Sequence, residues 1–138
     1  MGISPNLWGS QAWHFIHSVA LSYPENPTEE DRKKYMDFFQ SLGSVLPCPI
    51  CGQHFLEKMK KYPPNLDNTE RLFQWTVDMH NTVNAENGKA IISYSEAKEI
   101  FWKNTNQNTH VYKGISLSLA IILFILLSSF ILTPKKIK

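Results

Sequence analysis

The chain has 138 residues and a formal net charge of +2, which suits one small domain carrying an appendage. So small a charge, with no basic run interleaved with aromatics, excludes a nucleic-acid surface. Two cysteines exclude a disulfide-stapled secreted scaffold.

The N-terminus, Met1-Gly2-Ile3-Ser4-Pro5-Asn6, has neither the basic and apolar regions of a secretory signal nor the Ser/Thr of a myristoylation motif. Trp8, Ala12, Trp13, Phe15, Ile16, Val19 and Ala20 recur at three- and four-residue spacing and predict an amphipathic first helix. Pro24 and Pro27 end it; Asn26-Pro27-Thr28 is blocked by its proline as a glycosylation site. Thr28 opens a second helix, with Glu29, Glu30 and Asp31 in its first turn and Tyr35, Met36, Phe38, Phe39 and Leu42 as its apolar face. Gly43 and Pro47 close it. A third helix starts at Cys48, carries Phe55, Leu56 and Met59, and stops at Tyr62-Pro63-Pro64. Asn68 caps a fourth with Leu72, Phe73, Trp75, Thr76, Met79, His80 and Val83, ending near Asn87-Gly88. A short fifth starts at Ser93 or Ser95, where Ser93 and Glu96 form a capping box, and bears Ala97, Ile100, Phe101 and Trp102. No run shows sustained strand alternation, so the fold expected is an all-α four-helix bundle with a short fifth helix over residues 1–103.

Residues 104–113 read as a polar linker. From Gly114 to Pro134 no residue is charged, and Ile, Leu and Phe dominate. About 20 apolar residues cross a bilayer as a helix, so 114–134 is expected to be a transmembrane helix and 135–138 a basic tail. Lys135, Lys136 and Lys138 point the tail to the cytosol. Insertion of such a C-terminal anchor after synthesis would instead leave the N-terminal domain there, so the two expectations oppose each other.

The chemistry centres on Cys48-Pro49-Ile50-Cys51. Two sulfurs at that spacing form either a redox dithiol or half a metal site. Pro47 sets Cys48 at a helix N-terminus, where backbone N–H groups and the helix dipole favour a thiolate. Thioredoxins carry such a dithiol at a strand-to-helix junction, and this chain has no strands to build one. The metal alternative is Cys48, Cys51 and His54. It lacks a fourth ligand, because His14, His17, His80 and His110 form no second pair with cysteine. Trp13 and His17 lie one turn apart on one helix, His80 and Asn84 one turn apart on another. Such side chains can clamp a flat ring, although each aromatic taken alone reads better as core packing and each histidine as a surface or capped residue.

Together, Trp8-Gly9-x-x-x-Trp13-x-x-x-His17, Cys48-Pro49-x-Cys51 and His80-Asn81-x-Val83-Asn84-x-x-x-Gly88-Lys89 resemble the Erv/ALR sulfhydryl oxidases in order and spacing over residues 5–103. The lone CxxC and apolar tail look most like the members encoded by large DNA viruses. The resemblance implies a non-covalent homodimer binding FAD, and passage of two electrons from a dithiol or thioredoxin-like client protein through Cys48 and Cys51 to FAD and then O2, giving H2O2. It implies that Cys51 is flavin-proximal and Cys48 the more exposed, client-facing cysteine. Gly9, Trp13 and His17 would line FAD from the first helix; Trp75, His80, Asn81, Val83, Asn84 and Lys89 from the fourth helix and its end; Tyr94, Phe101 and Trp102 from the fifth. Three features depart from the family pattern: Ser10 stands where Arg is common, and both the distal shuttle pair and a stapling disulfide are absent. The competing reading is a non-enzymatic, membrane-anchored helical adaptor with structural or zinc-bound cysteines. A third is an oxidase fold without activity.

Overall fold

The computed structural model describes residues 2–102 and Ile122. The expected linker, the rest of the apolar run 114–134 and the basic tail lie outside the described residues. Among those described there are five helices and no strand, and no helix is long and apolar enough to cross a membrane. Two compact units divide the chain after Ala97.

Helix α1 spans Pro5–Leu21 with proline in its first turn, where the missing N–H is no loss. Helix α2, Glu29–Val45, is opened by a full capping box: Thr28 Oγ1 accepts the Asp31 N–H at 3.1 Å, and Asp31 accepts the Thr28 N–H at 2.9 Å. Helix α3, Pro49–Lys61, has Cys48 as its N-cap. Helix α4, Thr69–Glu86, is capped by Asn68, whose Oδ1 accepts the Arg71 N–H at 2.9 Å. Helix α5 runs over residues 94–102. Its capping box closes as expected: Glu96 accepts the Ser93 N–H at 2.7 Å, and Ser93 Oγ accepts the Glu96 N–H at 3.2 Å.

In the first unit α1 packs on α4, and α2 on α3. The core joins Ile16 and Ala20, Phe39, Phe55 and Met59 to Leu72, Phe73 and Val77. Phe39 sits edge-on to Trp75 at 4.9 Å, and the Trp75 indole N–H donates to Tyr62 O at 2.9 Å. That bond satisfies the one polar atom of a large buried side chain.

Two expectations from periodicity are corrected. Gly43 does not end α2; the helix continues to Val45. Its role is to let α3 approach, since a Cβ at Gly52 would lie 2.3 Å from Gly43 O, and one at Gly43 would lie 2.6 Å from Leu56 Cδ2. Phe15 is not on the buried face of α1. It is 54% exposed and touches Phe38 edge-on, while His17 takes the interior position.

Of the second unit, residues 98–102 continue as helix, with Phe101 and Trp102 edge to edge at 5.3 Å.

Candidate redox and cofactor site

Cys48 and Cys51 are joined in a disulfide with Cα atoms 5.2 Å apart. Pro49 starts α3 and leaves Cys48 extended as its cap, so that the Cys51 N–H points at the Cys48 sulfur, 3.3 Å away. Both sulfurs therefore lie at the positive end of a helix, where thiolate charge is stabilised on reduction. Sulfurs bonded to each other are not available as thiolate ligands, so this state does not match the C-x2-C-x2-H zinc reading.

Cys48 is 8% exposed, whereas Cys51 is half-buried. The cause is the segment ahead of α1. The Ile3 N–H donates to Pro47 O at 2.8 Å, and the Trp8 indole N–H donates to Ile3 O at 3.2 Å. Gly2 then lies against Pro49 and Cys48 so tightly that a Cβ on it would come within 2.8 Å of Pro49 Cδ. Ile3 thus fastens the start of α1 to the residue preceding the disulfide. Sequence spacing offered no sign of this, because a main-chain donor carries no residue-type signature.

The second half of the site is built by α1 and α4. Trp13 and His80 stack face to face, with ring centroids 4.3 Å apart and planes 7° from parallel. His17 lies under them, 5.4 Å from His80 and 5.7 Å from Phe73. Burial first, and then the neighbouring His80 and His14, bring the His17 pKa down to about 4. Burial first, and then the charge of Lys89, bring His80 to about 4 as well. Both rings are neutral at pH 7. Thr76, fully buried, is hydrogen-bonded to His17 at 2.9 Å and was not among the residues singled out as cofactor contacts.

The remaining predicted residues divide. Gly9 is one turn before Trp13, and a Cβ there would meet nothing within 4 Å beyond its chain neighbours and its own helix backbone; the chain's own packing does not demand glycine at that position. Asn84 and Val83 are half-buried on the turn after His80. The Lys89 N–H donates to Asn84 O at 2.8 Å, across a turn that Gly88 makes with φ +64°. Asn81 spends its amide on the backbone of Ile92, donating to its O at 2.9 Å and accepting its N–H at 3.2 Å. It pins the segment between α4 and α5. Trp75 is in the core. Phe101 and Trp102 belong to the second unit.

The residues present fit FAD. A flat aromatic face of Trp13 and His80 suits a heteroaromatic ring, neutral imidazoles offer hydrogen bonds without a competing charge, the open face at Gly9 allows close approach, and Lys89 supplies a cation for a phosphate.

A strand-free bundle with a helix-capping disulfide and a stacked Trp–His face defines a helical thiol–disulfide redox protein, distinct from the thioredoxin architecture. The chain belongs to the Erv1 / Alr family, whose model matches residues 10–103. It is 45% identical over 104 residues to a probable FAD-linked sulfhydryl oxidase of Acanthamoeba polyphaga mimivirus, covering 73% of each chain. To an FAD-linked sulfhydryl oxidase of African swine fever virus (isolate Pig/Kenya/KEN-50/1950) it is 32% identical over 94 residues, 68% of this chain and 79% of that one. The crystal structure of the yeast Erv1 core superposes with a TM-score of 0.65 at 26% identity, over 69% of this chain and 80% of that one. The resemblance to members encoded by large DNA viruses is borne out by the first two.

Proposed function

We propose that the chain is an FAD-dependent thiol oxidase that makes disulfide bonds in client proteins. The observation that carries this is a disulfide capping α3 in a member of the Erv1 / Alr family. A client thiolate attacks Cys48 Sγ. The Cys48–Cys51 bond breaks and Cys51 leaves as a thiolate, held by the α3 N-terminus. The second client thiol loses its proton and displaces Cys48, so the client departs with a disulfide and the enzyme holds a dithiol. FAD, when bound, supplies the two-electron acceptor that restores the enzyme disulfide and delivers the electrons to O2 as H2O2. Gly9, Trp13, His17, His80, Asn84 and Lys89 would hold it. Trp75 would support the site from the core and Asn81 from α4 through its bonds to Ile92, with Val83 as a further contact.

The client is a dithiol protein, thioredoxin-like or otherwise, that meets Cys48 directly, since the sequence has no other cysteine to relay electrons. Residues 2–24 and 38–56, which bracket the disulfide, contain no Asp, Glu, Lys or Arg. Ile3, Val45 and Ile50 are 56%, 74% and 62% exposed there. These features support an apolar contact with the client rather than charge steering.

A non-covalent homodimer is supported by Leu7 and Phe15, two turns apart on α1 and exposed by 74% and 54%. Phe15→Glu should lower the mass seen by analytical ultracentrifugation. The apolar run 114–134 supports a single-pass anchor in a virion or host intracellular membrane; resistance to carbonate extraction, lost on truncation after residue 113, tests it.

The decisive experiment is the absorbance spectrum of purified protein. A flavin band, bleached by dithiol in wild type and unbleached in Cys51→Ser, is expected. Colourless protein defeats the reading.

A further inference from the structure

A line of polar groups runs from the interior of α4 to its surface: the Phe73 carbonyl, the Thr76 hydroxyl, the His17 ring and the His80 ring. Thr76 Oγ1 lies 2.7 Å from Phe73 O. Two oxygens so close attract only with a proton between them, and a carbonyl has none. The single hydroxyl proton of Thr76 is therefore committed to Phe73. His17 Nδ1 lies 2.9 Å from the same hydroxyl, so this nitrogen must carry the proton of that contact. His17 is 9% exposed, and burial disfavours a charged imidazolium. A neutral ring protonated at Nδ1 is bare at Nε2. That bare Nε2 faces His80 Nδ1 at 3.2 Å, so His80 Nδ1 is the donor. His80, neutral in turn, is left with a bare Nε2.

We propose that Thr76 is a positioning residue that sets the tautomers of both histidines, so that His80 offers the bound nucleotide a hydrogen-bond acceptor at Nε2 and selects a donor group, an amine or a hydroxyl, on it. The proposal rests on the FAD reading for its ligand, but the tautomers are a property of this chain's own atoms. Stacking on Trp13 holds the plane of the His80 ring and the contact of its Nδ1 with His17 Nε2 fixes its rotation within that plane, so the position of the proton decides what it presents. With the opposite tautomer, Nε2 would carry a proton and oppose the same donor. A valine at position 76 has the same shape and no hydroxyl. It would leave His17 Nδ1 facing an apolar group, and the pair would be free to invert.

The test is 15N NMR of histidine-labelled, FAD-loaded protein at pH 7, in which protonated and bare ring nitrogens have distinct shifts. Wild type should show protonated Nδ1 and bare Nε2 on both His17 and His80. Thr76→Val should mix or invert the tautomers and weaken FAD binding about tenfold, as expected for one hydrogen bond near 1.4 kcal/mol, and Thr76→Ser should restore both. A wild-type His80 protonated at Nε2 overturns the proposal. So does a Thr76→Val protein with unchanged tautomers, or one with mixed tautomers and unchanged FAD affinity. Should Thr76→Val fail to fold, the wild-type spectrum alone decides the proton count. Failure of the FAD reading is seen separately, as absence of the flavin band, and the spectrum is then read on the cofactor-free chain.

Discussion

The Ile3 main-chain N–H donates to Pro47 O at 2.8 Å, tying the start of α1 to the residue before Cys48. One bond thereby links the helix that carries Gly9, Trp13 and His17 to the redox disulfide, and it accounts for the burial of Cys48. Ile3→Pro removes the donor without touching either cysteine. It should cost about 1 kcal/mol of stability and raise the rate at which a bulky dithiol reduces the disulfide several-fold. Stopped-flow reduction with a protein dithiol and with a small one measures this; an unchanged rate with the protein dithiol would show that the segment does not limit access.

Two glycines should behave oppositely. Gly52→Ala forces a Cβ to within 2.3 Å of the Gly43 carbonyl, a backbone atom that cannot yield without parting α2 from α3. A loss of about 1–3 kcal/mol follows from such overpacking. Gly9→Ala meets nothing within 4 Å beyond its chain neighbours and its own helix backbone and, inside a helix, should gain about 0.5–1 kcal/mol. It should nonetheless weaken FAD retention, because the added methyl occupies the open face beside Trp13. Thermal melts of the cofactor-free protein, paired with flavin titration, separate the two effects.

The buried histidines make stability depend on pH. Both have pKa values lowered from 6.5 to about 4, mainly by burial. Below 6.5 the unfolded chain takes up protons that the folded chain refuses. Stability is therefore fully present above pH 6.5 and is lost as pH falls toward 4. Denaturant midpoints at pH 7, 5.5 and 4.5 should decline in that order, and His17→Gln should flatten the decline. A midpoint constant over that range would contradict the burial of neutral rings.

Ionic strength should have little influence on client oxidation. The chain segments flanking the disulfide carry no formal charge, so salt has little local field to screen. The kcat/KM for a dithiol protein should change less than about twofold between 50 and 500 mM salt, whereas Val45→Asp, at an exposed position off α3, should lower it for a protein client and leave a small dithiol unaffected. A steep fall with salt would place the client on a charged face elsewhere.

What could be read from the chain alone is what is local. The caps at Thr28, Asn68 and Ser93 are bonds between residues three apart, the CxxC lies within one helical turn, and the i, i+4 pairs Trp13–His17 and His80–Asn84 follow from helical pitch. The strand-free bundle and the two helix faces that carry these pairs were legible for that reason. Periodicity failed where a helix meets a particular neighbour. Phe15 turned outward because His17 is held inside by Thr76, 59 residues away. Gly43 became a crossing point instead of a terminus because α3 presses on it at Gly52. The burial of Cys48 follows from a main-chain bond of Ile3 to Pro47, in which the side chain plays no part. Short-range hydrogen bonds and pitch are written in residue type and spacing. Long-range main-chain contacts, close backbone approaches and the direction of a proton along a buried relay depend on which surfaces the fold brings together, and only the tertiary structure determines that.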